Sequence, residues 1–361
     1  MAFQRPCNAR TMIRPAFLLL MMIAFAFPSH AEIPPQIAEK IRRINMRGPY
    51  VGLVVSYVEE LRAVLHSGTF QPDRERDLSE LDVSGRRFRV GNIEGRRTIV
   101  VMSGRGMVNA AQTTQLLLSL LRMRAVIHYG RAGSANPNKL GIGDVAIPQQ
   151  FAHTGFFYWE KFGGDEGSFD RNIANLTFSE YNVGEIKVAN KLQSLYSQRE
   201  VIYVKGNPEK GIPKFLFNVD DNLYETAKNL ENVELPRCVR EKSSSVCLQR
   251  QPMIKRVERG SSANIYVNNE AYRDFLHNQL QMTSIDTESA AIAMVCESEN
   301  MAFLAMRSIT DHAGGSSEGN DETTIQDLWP LHARTSVTQL FNRIPEPRDP
   351  KIRSVTGRDM W

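Results

Sequence analysis

The chain is poor in the residues that hold metal ions and common cofactors. It has four Cys and seven His in 361 residues, and their spacing matches no zinc motif. The third glycine of a dinucleotide fingerprint is missing, because Asn109 stands in its place, and the Gly-Lys-Ser/Thr of a P-loop is absent. We therefore expect neither a metal nor another cofactor.

The chain also lacks a strong excess of either charge. Its formal net charge is +4, but residues 1–31 contain three Arg and no acid, so the rest of the chain carries about +1. A nearly neutral chain offers no electrostatic footprint for DNA or RNA. We expect no nucleic-acid partner, and no internal repeat is visible.

Long apolar runs are absent except near the N-terminus. Arg5, Arg10 and Arg14 precede a short apolar core at residues 16–27, and residues 29–31 form a small-residue cleavage site. This pattern is typical of a secretory signal, with an uncleaved membrane anchor as the alternative. We expect export to the extracellular space or a vacuole, and no membrane attachment once residues 1–31 are removed.

The remaining chain is predicted to form one α/β domain over residues 32–345, with a charged tail at 346–361. Apolar strand patterns alternate with glycine loops and helical spacing, which favours a sheet covered by helices. Residues 160–256 are more polar and less regular, and we interpret them as a variable insertion between core elements. Strands are expected at 49–56, 87–90 and 97–102, and helices at 58–65 and 108–121.

Two features bear on export. Cys238 and Cys247 lie nine residues apart in a polar segment and can pair in an oxidising compartment, whereas Cys296 is expected to pack as a small hydrophobe. Asn175 begins a glycosylation sequon, which has meaning only if the chain is secreted.

Two glycine-rich segments are candidate ligand loops. Residues 103–107 (SGRGM) join a strand to a helix, and residues 128–134 (HYGRAGS) are expected to leave a strand as a second loop. Glycines let the backbone approach a ligand, and α/β sheets bind ligands at strand ends. The alternatives are a simple tight turn for the first loop and a solvated Arg131 in the second.

Two carboxylates could perform acid–base chemistry. Glu288 starts a small-residue helix, and Asp311 follows an apolar run at 301–306. Carboxylates held in different environments take different acid–base roles. The structural alternatives are a partner for the helix dipole at Glu288 and a turn or cap residue at Asp311.

Five ordered sequence blocks carry a family resemblance. They are residues 52–60, 103–111, 129–133 with 143–145, 286–291 and 307–311. On these blocks the chain resembles the nucleoside phosphorylase superfamily, in particular the 5'-methylthioadenosine/S-adenosylhomocysteine nucleosidases and the plant bark or vegetative storage proteins. The resemblance implies a three-layer α/β/α fold with a central mixed, partly barrel-like sheet. It also implies a homo-oligomer and a purine nucleoside as ligand.

The resemblance also implies roles for single residues. Glu60 corresponds to the acid that orients the attacking water, Glu288 to the acid that grips the ribose hydroxyls, and Asp311 to the acid that protonates N7 of the purine. Glu60 lies beside Glu59 on a predicted helix, so a solvated helix face is the alternative for this residue. The residues expected to bind substrate are Ser103 and Gly104 on the sugar side, Gly130, Arg131, Thr287, and Tyr266 on the base.

The sequence departs from the family pattern at two of these positions. Thr287 stands where the nucleosidases usually have Met, and Arg131 stands where a small or aliphatic residue is expected. The phosphate loop of the phosphorylases, Gly-Asp-Pro-Gly-Arg, has no counterpart near Ser56. We therefore expect cleavage of a purine nucleoside by water. The alternatives are a storage-type protein with weak or no catalysis, a nucleoside-binding protein, and a phosphate-dependent phosphorylase.

Overall fold

The structure is a computed structural model that describes residues 33–66, 68–163, 169–184, 188–241, 244–314 and 322–345. The predicted signal at 1–31 and the predicted tail at 346–361 lie outside the described residues.

The secondary structure alternates between strands and helices along the described chain. The strands are β1 (Tyr50–Val55), β2 (Phe70–Pro72), β3 (Glu80–Val83), β4 (Arg86–Ile93), β5 (Arg96–Met102), β6 (Met123–Ser134), β7 (Val145–His153), β8 (Phe157–Trp159), β9 (Asn175–Thr177), β10 (Ser194–Ser197), β11 (Glu200–Val204), β12 (Asn207–Lys214), β13 (Leu216–Asn218), β14 (Cys238–Glu241), β15 (Ser244–Cys247), β16 (Ile254–Ser262), β17 (Ser284–Asp286) and β18 (Phe303–Asp311). The helices are α1 (Pro35–Arg47), α2 (Val58–Leu65), α3 (Met107–Leu120), α4 (Asp221–Ala227), α5 (Glu270–Leu280), α6 (Ser289–Ser298) and α7 (Glu322–Arg343).

The main sheet closes partly on itself. Strands β6, β17, β16, β7 and β18 pair in a ring, because β18 pairs with both β6 and β7. The first half of β6 also pairs with β1, and β5, β4 and β2 continue the sheet outward from there. The pairing mixes parallel and antiparallel neighbours. This mixed, partly closed sheet confirms the predicted fold class.

The strand β1 shows why a continuous apolar run forms a central strand. It pairs in parallel with β5 on one side and β6 on the other, and all six of its residues are buried. Strands covered on both faces need apolar side chains at every position rather than at alternate ones. Helices α2 and α7 pack against each other and α3 packs against α6, and α6 and α7 also contact the sheet.

The sequence-based loop at residues 128–134 is corrected by the structure. These residues belong to β6, which continues to Ser134 and pairs with β18 as far as Gly133. In the sequence, Gly130 and Gly133 indicate a loop. In the structure, the missing side chain at each glycine leaves room for a charged side chain to pack against the strand. Residues 130–133 of the site therefore lie in a strand of the closed sheet rather than in a loop.

The variable middle of the chain contains small antiparallel units. Strands β8, β10 and β9 form a three-stranded sheet, and β11–β12 and β14–β15 form hairpins. The segment is not wholly peripheral, because β13 pairs with β7 of the main sheet and α4 contributes Leu223 to the core. Asn175 is exposed on β9, and its glycosylation remains a prediction.

The cysteines behave as predicted. Cys238 and Cys247 are cross-strand partners in the β14–β15 hairpin and form a disulfide. Cys296 is fully buried on α6, where it packs in the core, and burial raises the pKa of its thiol. Among the helices that the structure describes, none is long and apolar enough to cross a bilayer.

Candidate active site

A cavity of about 260 Å³ opens at the carboxyl ends of β6 and β18, beside β17. This size is close to the lower end of the range for small-molecule sites, about 300 Å³. Its wall includes Tyr57, Arg131, Tyr266, Glu288 and Asp311. Residues far apart in sequence therefore meet at one opening.

Glu60 is fully buried beside this cavity, on the first turn of α2. Its Oε2 accepts hydrogen bonds from the backbone amides of Ser56 at 2.7 Å and Tyr57 at 3.1 Å, and its Oε1 accepts one from the amide of Arg131 at 3.0 Å. Burial raises the pKa of Glu60 to about 7, although Arg307 and the amides of Ser56 and Arg131 act in the opposite direction. The alternative of a solvated helix face is excluded.

Two glycines of β6 allow charged groups to touch the strand. A Cβ at Gly130 would lie 2.6 Å from Oε1 of Glu60 and 2.7 Å from Nη1 of Arg307. A Cβ at Gly133 would lie 2.7 Å from Oδ1 of Asp311. All three distances are too short for a Cβ, so β6 receives these three charged side chains because it carries glycine at both positions.

Arg307 is the central cation of the site, with a side chain only 1% exposed. Its Nε lies 3.3 Å from Asp286 and its Nη2 lies 3.4 Å from Glu288, and it also donates to the carbonyl of Arg131. Burial opposes its charge, but the surrounding carboxylates raise its pKa. Buried charges persist when they are paired in this way.

The side chain of His128 completes the surroundings of this arginine. It is fully buried, with Nδ1 2.9 Å from the carbonyl of Val54 and Nε2 against Nη1 of Arg307. Burial and the neighbouring guanidinium lower the pKa of His128 to about 3. The ring is therefore neutral at physiological pH, donating from Nδ1 to the carbonyl and accepting at Nε2 from the guanidinium.

Asp286, rather than Glu288, satisfies the N-terminus of α6. Its Oδ1 accepts from the amides of Glu288 and Ser289 at 2.9 Å and from the hydroxyl of Ser262 at 2.7 Å. Its Oδ2 accepts from the hydroxyl of Ser289 at 2.7 Å. Burial works against its charge, but Arg307 and these hydrogen bonds hold its pKa below the usual value. Glu288 stands at the start of α6, but its side chain makes no cap hydrogen bond there.

Glu288 is fully buried and faces the cavity with one oxygen already occupied. Its Oε1 accepts from the amide of Gly106 at 2.9 Å and from the hydroxyl of Thr287. Its Oε2 has Arg307 at 3.4 Å. Since each carboxylate oxygen has about two acceptor positions, the capacity left for a ligand is on Oε2.

Asp311 ends β18 and is half-buried in the cavity wall. Its Oδ1 accepts from the amide of Ala313 at 2.8 Å, and its Oδ2 accepts from the hydroxyl of Thr310 at 3.1 Å. These local bonds fix the direction of the carboxyl group. They also fit the alternative interpretation as a turn residue. Asp311 therefore stabilises the turn after β18 and lines the cavity as well.

Tyr266 lies at the rim of the cavity, with 70% of its surface exposed. Its hydroxyl is 2.9 Å from the hydroxyl of Tyr57. Tyr266 therefore does not pack in the core. The two tyrosines form one side of the opening.

The first glycine loop reaches the site differently from what its motif predicts. Ser103 is buried, and its hydroxyl donates to the carbonyl of Gly104 at 2.8 Å. Neither Ser103 nor Gly104 is among the residues that line the cavity, whereas Gly106 of the same loop binds Glu288. Gly130 also lies behind the wall, and Arg131 and Thr287 are in it.

Sequence reasoning missed Arg307, Asp286 and Tyr57. A signal for Arg307 was present, since it interrupts an apolar strand, and arginine is almost never fully buried without a partner. No comparable signal marks Tyr57, whose position depends on how α2 meets the sheet. Within the described ranges, no group of three or more His, Cys, Asp or Glu could hold a metal ion.

Comparison with known proteins decides the family. The family model described as the phosphorylase superfamily matches residues 50–341. This chain belongs to the phosphorylase superfamily. The match contains every element that lines the cavity, and it confirms the resemblance drawn from the five sequence blocks.

Curated members of the superfamily resemble the chain along most of its length. Bark storage protein A from Populus deltoides is 30% identical over 321 residues, covering 88% of this chain and 96% of the relative. A 5'-methylthioadenosine/S-adenosylhomocysteine nucleosidase from Anoxybacillus flavithermus is 23% identical over 292 residues, covering 81% and 97%. The chain is thus similar to storage proteins and to nucleosidases.

Solved structures agree on the fold. Futalosine hydrolase from Helicobacter pylori superposes with a TM-score of 0.53 at 17% identity, covering 81% of this chain and 96% of the other. The nucleosidase from S. pneumoniae, solved with a transition-state inhibitor, gives 0.52 at 15% identity, covering 82% and 100%. At these identities the likeness establishes the shared fold.

Proposed function

We propose that this protein cleaves the N-glycosidic bond of a purine nucleoside of the methylthioadenosine or adenosine type, with water as the acceptor. One observation carries the proposal. Glu288 and Asp311 line a single cavity, and Glu60 lies directly behind the same wall, bound to the amide of Arg131. Three carboxylates in three different environments can serve as the acid, the base and the sugar-binding group of such a reaction.

The base end of the reaction is assigned to Asp311. As the bond between C1' and N9 breaks, negative charge builds on the purine, and a proton from Asp311 to N7 neutralises it. General acid catalysis of this kind contributes about 10²–10⁴-fold to the rate. Tyr266 lines the same cavity and supplies an aromatic face for the base.

The sugar end is assigned to Glu288 and Glu60. The Oε2 atom of Glu288, which keeps acceptor capacity beside Arg307, accepts a ribose hydroxyl. The charge of this carboxylate stabilises the positive charge that develops on the sugar ring. Glu60 orients a water molecule and takes its proton as the oxygen bonds to C1'. A pKa of about 7 suits this step, because a general base works best near the ambient pH. The products are the free base and the sugar.

A storage role is the second candidate, and two observations favour it. The bark storage protein match covers most of the chain, and the Thr287 hydroxyl occupies an acceptor position on Glu288 that a ribose hydroxyl would otherwise use. In this alternative the protein keeps the fold with weak or no turnover. Both candidates include export through the secretory pathway, and we also expect a homo-oligomer.

The decisive experiment measures release of free base. The protein without residues 1–31 is incubated with methylthioadenosine, adenosine and inosine, with and without phosphate. Release that does not depend on phosphate supports the hydrolase. If no substrate releases base at high protein concentration, the hydrolase proposal fails and the storage role is favoured. If base is released only when phosphate is present, phosphate rather than water is the acceptor.

A further inference from the structure

The turn that follows β18 has an unusual backbone. Ala313 has a φ of +54° and Gly314 has a φ of +101°, and Ala313 is buried. The left-handed region is open to glycine, but a residue with a Cβ rarely adopts it unless its surroundings fix the backbone there. Contacts from another element must therefore hold residues 312–314.

Arg273, in the first turn of α5, makes such contacts. Its Nη1 donates to the carbonyl of Gly314 at 2.6 Å and to the carbonyl of His312 at 3.3 Å. These two carbonyls flank Ala313 in the chain, so one guanidinium group bridges the turn around the left-handed residue. Because the guanidinium is planar and its donors point in fixed directions, it restrains both carbonyls together.

The guanidinium of Arg273 is itself fixed. Its side chain is only 9% exposed, and its Nη2 lies 3.0 Å from Glu270 and 2.9 Å from Asp274, both on the same helix. A nearly buried cation that is paired in this way stays charged and keeps one orientation. A Cβ at Gly314 would collide with the backbone nitrogen of Asn269, so the turn packs directly on the start of α5. The N-terminal part of α5 therefore supports this turn.

The turn acts on one oxygen of Asp311. The amide of Ala313 donates to Oδ1 at 2.8 Å, and a Cβ at Gly133 would lie 2.7 Å from the same Oδ1. A donated hydrogen bond favours negative charge on the oxygen that accepts it. Oδ2 is bonded to the hydroxyl of Thr310 at 3.1 Å, and a hydroxyl can either donate or accept. When Asp311 is protonated, we therefore expect the proton on Oδ2.

We propose that Arg273 is a positioning residue for the general acid. It holds the turn so that the amide of Ala313 stays on Oδ1 of Asp311, which leaves Oδ2 to deliver the proton to the base. Arg273 is not among the residues that line the cavity, so it acts through Asp311 rather than on the substrate. This inference rests on the proposed function, which makes Asp311 the acid.

The proton transfer is balanced within the proposed hydrolysis. The O–H bond at Oδ2 breaks and the proton bonds to N7, while the electron pair of the C1'–N9 bond moves to the purine. Asp311 becomes a carboxylate, and the amide of Ala313 stabilises the new charge through Oδ1. Water bonds to C1' and gives its proton to Glu60, so no further reactant is needed.

The test compares two leaving groups in Arg273→Met. Methylthioadenosine releases a purine that needs the proton, whereas 4-nitrophenyl riboside releases a phenolate that leaves without one. The kcat for methylthioadenosine should fall about tenfold or more, with KM changed less than about threefold. The kcat for 4-nitrophenyl riboside should stay within about threefold of wild type. Equal losses on the two substrates overturn the inference.

A double variant tests the same point with methylthioadenosine alone. Once Asp311→Asn has removed the acid, Arg273→Met should cause little further loss of kcat, because residues that act as a unit are not additive. Full additivity overturns the inference. If Arg273→Met does not fold, Arg273→Lys replaces it with the same expected contrast, since Lys keeps a cation but lacks the planar guanidinium.

The matched control is Arg259→Met. Arg259 is also partly buried and donates to a backbone carbonyl, that of Leu280 at 3.1 Å, at the other end of α5. This control should turn over both substrates as wild type does. A selective loss of methylthioadenosine turnover in Arg259→Met would show that the contrast does not come from the turn, and it would overturn the inference.

Hydrogen exchange separates this inference from the proposed function. In Arg273→Met the amide of Ala313 should exchange about fivefold faster or more than in wild type, measured by mass spectrometry on peptides that contain this residue. In Arg259→Met it should exchange at the wild-type rate. If the wild-type protein releases no base but exchange accelerates in Arg273→Met, the proposed function fails and the hold on the turn stands. If the wild-type protein releases base while Arg273→Met changes neither the exchange nor the ratio of the two substrates, the inference fails and the proposed function stands.

Discussion

The inner and outer halves of the site differ in burial and in the contacts that hold their side chains. In the inner half, Glu60, Asp286, Glu288 and Arg307 are buried, and each is bound to amides, hydroxyls or an opposite charge. In the outer half, Tyr266 is largely exposed, and the side chains at the rim contact one another mainly through rings and hydroxyls. The inner half fixes the reaction geometry, whereas the outer half can change without unfolding the sheet.

The largest expected effect separates turnover from stability. Asp311→Asn should lower base release by about 10²–10⁴-fold, because the general acid is lost. The amide can still accept from Ala313 and can donate to Thr310, so the melting temperature should change little. Steady-state kinetics measure the loss of base release, and thermal melting measures the change in stability. Retained activity in a folded variant would remove Asp311 from its role.

The next effect tests the inner half by its stability. Arg307→Met leaves Asp286 and Glu288 without their cation, and breaking a buried pair in this way costs about 3–5 kcal/mol. Urea denaturation measures the loss. Arg171→Met serves as the control, because it removes an exposed guanidinium that lies 4.7 Å from the centroid of the Phe169 ring. This change should cost less than about 1 kcal/mol. Similar losses in the two variants would contradict the contrast between inner and outer charges.

The pH dependence of Glu60 is a further test of burial. Because its pKa rises from 4.5 to about 7 on folding, the folded state favours the protonated form. Its contribution is fully present below pH 4.5 and is lost as the pH rises through about 7, a change on the order of 3 kcal/mol. The free energy of unfolding, measured at pH 5 and pH 8, should fall less in Glu60→Gln than in wild type.

Glu59→Gln is the matched control for this experiment, since Glu59 is the exposed neighbour on α2. It should keep the wild-type dependence. Activity should rise with pH through about 7 in wild type as Glu60 loses its proton. An activity profile without this rise would argue against Glu60 as the base.

The smallest effect concerns the outer half. Thr287→Val removes the hydroxyl that binds Glu288 and frees one acceptor position for a ribose hydroxyl. A hydrogen bond of this kind contributes about 1 kcal/mol, so KM for a nucleoside should fall about fivefold. Thr287→Ser keeps the hydroxyl and should behave as wild type. A higher KM in Thr287→Val would mean that Thr287 supports Glu288 rather than competing with the ligand.

The sequence was most informative where local pattern decides structure. The apolar run at 49–56 predicted β1, and the helical spacing at 58–65 predicted α2. The pairing of Cys238 with Cys247 also followed from their short separation. These features depend on neighbours in the chain, so they are visible without the fold.

The pattern was least informative where distant segments meet. Gly130 and Gly133 look like loop residues until Glu60, Arg307 and Asp311 are brought against them. Likewise, the two acids before α6 are both suitable for the helix start, and only the hydrogen bonds of Asp286 to the amides of Glu288 and Ser289 assign it that role. Such assignments depend on contacts that no local periodicity encodes.

Residue 131 has a consequence for how this site can diversify. Its peptide group holds the inner half, since the amide donates to Glu60 and the carbonyl accepts from Arg307, while its side chain alone enters the cavity wall. Any amino acid other than proline supplies the same peptide group. Ligand preference can therefore be changed by exchanging the side chain of residue 131. The backbone of the same residue keeps its hydrogen bonds to Glu60 and Arg307, so the buried half of the site is unchanged.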